Sequence, residues 1–469
     1  MFVLHPLLKP YEPAKGDPFD AVKAAHLLNR AGFGGTLAEI EKVRQLGPQA
    51  AVDRLLDFPN ATSDEQDSKD QPSFAALKDV PRNFREMSAM YAGKTPQERM
   101  ELQQKMQMAE RVALVGTAEW WMNRMTTAVN PFQEKLTLFW HGHFTTSAND
   151  ERLARQMWGQ NETLRKHAAG NFKTFVQAIA RDPAMLDYLN NQENRRSHPN
   201  ENFARELMEL FTLGIGNYTE ADVKNAARAF TGWGHNGGEF IFRPFDHDTD
   251  SKSFLGKSGN FDGDQIIDLI LRQSACSKYI AGRFWDFFVS ETPNDAVIAS
   301  LGEVLLSSGY ELRPMIRTLF TSRAFYSAEM IGSQIKSPVQ LMIGSARALG
   351  VRLPPGRMMF QPNGPLMQMG QAPFHPPNVR GWPGGRAWVN TSTLFVRYNC
   401  VSRLADDVET AEFATAGEAV DYWINRLVQR PIAANQRQTL IEAVGTKPDA
   451  ESIRRMIRLV VSTPEYQLC

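Results

Sequence analysis

The chain has 469 residues, and its 52 Lys and Arg are balanced by 52 Asp and Glu. Hydrophobic residues make up 42%, ample for a packed core, so wholesale disorder is excluded and the length suits two or three units or one large fused one. Zero net charge excludes a broad electrostatic grip on nucleic acid or anionic lipid, although it leaves room for a local basic pocket. Three cysteines, Cys276, Cys400 and Cys469, fit neither a disulfide framework nor a metal spacing and read as thiols in a reducing compartment. No run approaches the ~20 apolar residues that span a bilayer, so no integral membrane segment is expected. The start, MFVLHPLLKPYEP, is broken by proline and charge and has no basic leader region, so a cytoplasmic location is expected.

The periodicity predicts a mainly α fold. Asp20–Arg30 carries Ala21, Ala24, Ala25, Leu27 and Leu28 near one face and stops at the glycines of AGFGG. Thr36 and Glu39 form a capping box for a second helix, and a third carries Ala51, Val52, Leu55 and Leu56. Residues 1–58 thus read as an N-terminal helical motif, 59–74 as a polar linker, and 75–469 as a large multi-helix domain. From Pro96 to about Val129 the methionine-, glutamine- and alanine-rich chain suits one long or broken helix. Strand signals are sparse. The clearest, Glu239–Arg243, is expected to pair with a segment near Lys252–Leu255 as a small β-hairpin insertion. The proline- and glycine-rich stretch 353–390 reads as a long ordered loop. A weak repeat, PMIRTLFTSRAFY at 314–326 and RMIRLVVSTPEY at 455–466, predicts a reused helix corner whose aromatic packs back on the helix.

Four segments carry candidate chemistry. In QEKLTLFWHGHFTTS, His141 and His143 can face one point if the helix ends between them, as two imidazole ligands of a divalent metal. On a continuing helix they would diverge by about 200° and serve as capping or packing groups. In NENFARELMELFTLG, Asn202, Glu206 and Glu209 fall on one stripe beside an apolar face, where desolvation can raise a carboxyl pKa for acid work. Glu201, Arg205 and Glu209 also have the i, i+4, i+8 spacing of a salt-laced surface. In PFDHDTDSKSFLG the calcium-loop pattern fails at Ser251 and Lys257, leaving His247 and Asp248 as a ligand or an oriented pair. In MGQAPFHPPNVRGWPGGRAWVN, Asn378, Trp382, Arg386 and Trp388 form a surface suited to a sugar or other polar ligand, joined by Trp233. The alternative is a wrapping loop in which the Trp residues are anchors. Phosphate-binding, Rossmann, HExxH and GxSxG signatures are absent, as is any RNA-module pattern.

Together LLNRAGFGGT, EKLTLFWHGHFTTS, NENFARELMELFTLGIGNYTEADV, ARAFTGW and PPNVRGWPGGRAWVNTSTL resemble the bacterial DUF1800 family, over about residue 20 to the end. The resemblance implies a largely helical fold and lends no activity, substrate or catalytic residue. Many relatives look exported, whereas this chain shows no leader. The residues themselves lead to an expectation of a metal-dependent hydrolase for a polar, glycan-like small substrate. In it His141, His143 and His247 hold a divalent ion, with Asp248 or Glu206 as a further ligand. Glu209 or Glu206 is then the base, and Arg205, Trp233, Asn378, Trp382, Arg386 and Trp388 orient substrate. A redox metal on the same ligands would make an oxidoreductase. Two alternatives are a metal-independent glycosidase using Glu206 with Glu209 or Asp248, and a non-catalytic carbohydrate- or partner-binding protein. The sequence fixes no oligomeric state.

Overall fold

The computed structural model describes residues 2–58, 71–151 and 153–469. Helices punctuated by side-chain caps make up most of it, with two small two-stranded sheets. The capping boxes legible in the sequence form: Thr36 with Glu39, Thr219 with Asp222, and Asp262 with Gln265. Each satisfies first-turn N–H groups that would otherwise lack partners.

The helices close around two hydrophobic cores. One gathers residues from Ala21–Ala31, Phe172–Ala180, Gly263–Leu271, Ser274–Phe288 and Leu312–Phe320. The other gathers the second half of Pro96–Thr127 with Pro338–Leu349, Thr391–Leu404, Ala416–Leu427 and Ala450–Val461. The helix Pro131–His143 is buried almost all round because it serves both: Leu136, Phe139 and Trp140 face the first core and Leu138 the second. A helix apolar on every side has to run through the interior.

The N-terminal helices Ala21–Ala31, Leu37–Leu46 and Pro48–Leu56 pack on one another and also contribute to the first core, where Phe58, just after them, meets Phe132 edge-on at 6.5 Å between ring centroids. Residues 59–70 of the expected linker lie outside the described residues. Its last residue, Phe74, is packed against Trp158 with ring centroids 5.7 Å apart, under the Arg155 guanidinium. The methionine-rich segment is a single helix, Pro96–Thr127, in which Met122 and Met125 are buried and Met100 and Met108 exposed. No helix among the described residues is long and apolar enough to cross a membrane.

The strand at Glu239–Phe242 forms, but its partner is Trp233–Asn236, not the segment near 252. Gly237 and Gly238 both have positive φ, at 61° and 90°, the two-residue turn whose twist suits a hairpin. Lys252–Phe254 makes a separate hairpin with Lys257–Gly259. The repeated corner is present twice: Tyr326 is buried in the first core and Tyr466 in the second, where its hydroxyl meets Ser345 Oγ at 2.7 Å. The long loop is ordered by Met359, Phe360, Leu366 and Phe374, all buried in the second core.

Candidate functional site

The helix Pro131–His143 runs two residues beyond His141, so the paired histidines leave it on different sides. His141 lies between the Trp121, Phe374 and Trp382 rings, and its Nε2 accepts the Phe374 N–H at 2.9 Å. This bond holds Phe374, at φ 66°, in a left-handed conformation unusual for a bulky side chain. His143 faces Phe211 and Tyr279 instead, and its Nε2 donates to the Phe211 carbonyl at 3.0 Å. Burial pushes both imidazoles down to about 3, with His375 adding to the effect at His141 and Arg283 at His143. His247 sits elsewhere, with Nδ1 at 2.8 Å from the Thr231 carbonyl. The three rings therefore do not converge, and at His141 the Nε2 lone pair is already taken. Among the described residues no three His, Cys, Asp or Glu side chains are grouped to hold a metal ion. His141, His143 and His247 are therefore not gathered as the ligand set expected from the sequence.

The carboxylate-bearing helix also differs from its sequence periodicity. Regular turns end at Glu206, and Leu207–Thr212 widens into a π-turn. Such one-turn bulges change the angular phase of everything after them and recur at functional sites. Tyr279 Oη donates to the Leu210 carbonyl at 2.8 Å and His143 to that of Phe211, which secures the end of the widened turn. Glu209 is thereby aimed at Tyr218, whose hydroxyl donates to Oε2 at 3.0 Å, and at Arg380, 3.3 Å from Oε1. Glu206 is half-buried; burial and then the charge of Glu209 raise its carboxyl.

Beyond the end of the 131–143 helix lies a cleft of two adjoining hollows, about 370 Å³ and 680 Å³. Gly142, Arg283, Asp286 and Arg380 line both. Lys135, Phe287, Glu291, Gln340, Trp382 and Trp388 line the first, and Glu209, Tyr279 and Lys278 the second. Gly381, at φ 77°, lies so close to the helix end that a Cβ there would collide with the Gly142 carbonyl. That contact seats Trp382 over Gly142 and His141.

The sequence reading missed the central charged groups. Asp286 lies in FWDFF on the helix Ser274–Phe288 and has no ion pair or side-chain hydrogen bond among the described residues. Its side chain reaches solvent, and the partial desolvation by the surrounding helix and cleft wall raises its carboxyl; Arg283 opposes this and Glu291 reinforces it. An acid set among aromatic residues was the available signal. Arg283 Nε and Trp382 Nε1 are both buried with no hydrogen-bond partner among the described residues.

Of the expected site, the helix end, the π-turn and the 379–388 loop come together, while the His247–Asp248 loop does not join them. Asp248 is a structural anchor: Arg228 grips it at 2.7 and 3.2 Å, and the Asp250 N–H donates to it at 2.9 Å. Burial works against its charge, but these partners hold its carboxyl below the ordinary value. Arg205 is occupied by Glu220 and Glu201, the salt-laced surface its spacing allowed. Trp233 is buried under the Arg181 guanidinium, 4.5 Å from its ring centroid, and lines neither hollow. Asn378 accepts the Arg380 N–H at 2.9 Å within its own turn, and Arg386 is exposed outside both hollows.

Fold and site together define a helical protein with a carboxyl- and arginine-lined double cleft at the meeting of two cores. The family model for DUF1800, described as a protein of unknown function, matches residues 26–468, and the chain belongs to that family. No curated protein and no solved structure matches it.

Proposed function

We propose that the cleft binds a saccharide and cleaves a glycosidic bond by acid–base chemistry on carboxyl groups. The observation that carries this reading is Asp286, a carboxyl exposed to the cleft and without an ion pair among the described residues, beside a second carboxylate, Glu291, in a hollow walled by Trp382 and Trp388. A carboxyl whose proton affinity is raised is better suited than an ordinary one to give its proton to the departing glycosidic oxygen. A neighbouring carboxylate then either draws a proton from water or attacks the anomeric carbon, the separation of the two deciding between inversion and retention. Indole faces stack on the C–H faces of sugar rings, and the free N–H groups of Arg283 and Trp382 are donors for hydroxyls. The metal-dependent hydrolase expected from the sequence loses its support because His141, His143 and His247 point to different places.

The test is release of reducing ends across a glycan panel by the wild type, Asp286→Asn and Glu291→Gln. Each variant is expected to lose about 10²–10³-fold in rate while still binding the glycan. Unchanged turnover in both variants would remove the pair from the mechanism. Binding without turnover in the wild type would leave a carbohydrate-binding protein.

A further inference from the structure

Lys135 lines the first hollow and is only 7% exposed, yet among the described residues it forms no ion pair with a carboxylate side chain. Its ammonium bonds to the Gln340 amide oxygen and lies 5.1 Å and 5.6 Å from the Phe33 and Phe287 ring centroids. Behind the same wall are three more buried cations, Arg30, Lys336 and Arg397. Arg30 donates to the Met330 carbonyl and Ser333 Oγ, and Arg397 to Gln467 and the Lys336 carbonyl, all neutral acceptors. Arg30 Nε and Nη1 and Arg397 Nη1 have no partner among the described residues. All four cations feel negative charge from Cys469, which also lines the hollow. Burial drives Lys135 down to about 8, against that charge. That charge makes no ion pair with Lys135 among the described residues, and a buried ammonium without a close counter-charge is costly to a fold.

The acidic groups of this hollow are arranged differently. Glu291 is exposed at the mouth, its carboxylate against Gly385, while Lys135 is at the buried end. Arg283 lies on the shared wall beside Asp286, with its Nε unpartnered. The hollow thus has a cationic floor and an acidic rim.

We propose that the Lys135 end of the first hollow is a subsite for the anionic group of an acidic saccharide, a carboxylate or a sulfate ester, paired with the Lys135 ammonium and bonded by the free Arg283 and Trp382 N–H groups. The inference rests on the saccharide reading for the rest of the ligand. It also gives the ligand a direction: the charged ring lies inward and the bond to be broken lies towards Asp286 and Glu291. A negative group at the rim would meet the like charge of Glu291, whereas at the floor it meets an ammonium whose partner is a neutral amide, and donors in a low-dielectric wall, against the more distant negative charge of Cys469.

The test is equilibrium binding followed by tryptophan fluorescence, with inorganic sulfate, glucuronate, glucose 6-sulfate and glucose as probes. The proteins are the wild type, Lys135→Met and Arg283→Gln. At least one charged sugar is expected to bind about tenfold or more tightly than glucose, with sulfate as competitor, and which one prevails separates carboxylate from sulfate. Lys135→Met should abolish that preference, and Arg283→Gln, at the more open wall, should weaken it if Lys135→Met fails to fold. Equal affinity for charged and neutral sugars in the wild type would overturn the subsite, as would a preference that survives both substitutions. Charged sugars bound with no glycan cleaved by any form would keep the subsite and discard the acid–base reading. Neutral glycans cleaved with no preference for charge would do the opposite.

Discussion

Glu134 and Lys135 are consecutive residues on one buried helix, 2% and 7% exposed, and their surroundings are opposite in kind. Glu134 accepts from Trp121 Nε1 at 2.9 Å, Arg124 Nε at 2.7 Å, and Arg165 Nε and Nη2 at 2.8 and 3.0 Å. Burial alone would raise its carboxyl, yet Arg165 and Arg124 hold it down at about 2. Lys135 has an amide oxygen and two aromatic faces, and burial pushes its ammonium down to about 8. Equal burial therefore does not mean equal satisfaction. The glutamate side is closed by cations that the fold itself supplies, whereas the lysine side opens on a cleft.

That contrast can be broken most forcefully at Glu134. Glu134→Gln leaves the buried Arg165 and the half-buried Arg124 short of their shared counter-charge and is expected to cost about 3–5 kcal/mol, read by urea unfolding. Because the folded carboxyl lies below its ordinary 4.5, its contribution is present above that pH and is lost as pH falls towards about 2. The variant should lack this acid limb.

Lys135→Met probes the other side, where the sign reverses. The ammonium ordinarily titrates at 10.5 and in the fold at about 8, so between these values the unfolded chain carries the extra proton. Wild-type stability should gain up to about 3 kcal/mol from this group as pH rises from about 8 to 10.5, and the gain should vanish in Lys135→Met. At neutral pH the methionine variant should be no less stable than the wild type. Thermal unfolding across that range decides it.

Arg283→Gln is expected to change stability least, by about 0.5 kcal/mol or less, since the guanidinium forms no ion pair among the described residues. A larger loss in denaturant unfolding would make Arg283 a structural residue and blur the distinction between the closed and open sides.

Much of the fold was legible because its signals are local. Thr36 with Glu39 and Thr219 with Asp222 lie within one turn, and the repeated Met-Ile-Arg corners announced where Tyr326 and Tyr466 return to their cores. The partner of Glu239–Phe242 was misassigned because strand pairing is set by the turn, and the positive-φ Gly237 and Gly238 pair lay on its other side. The 202–212 segment shows a different limit. Counting 100° per residue is sound until the backbone widens, and the π-turn that aims Glu209 leaves no mark in the apolar pattern. At the site, Trp382, Trp388 and Glu209 were visible as a polar–aromatic group. Asp286 and Lys135 were not, because a charged residue in an apolar run has the same sequence appearance whether its partner is supplied, as for Glu134, or absent. Only the tertiary neighbours separate the two cases.

The first hollow draws its wall from Lys135, Arg283, Gln340 and Trp382, residues from distant parts of the chain that meet where the two cores adjoin. No local segment can pre-form it, so it comes into being late, once both cores have condensed and the cost of closing the long intervening loops has been met. A molecule seated there would bridge the halves, and its binding free energy would protect the entire chain against unfolding, not one loop alone.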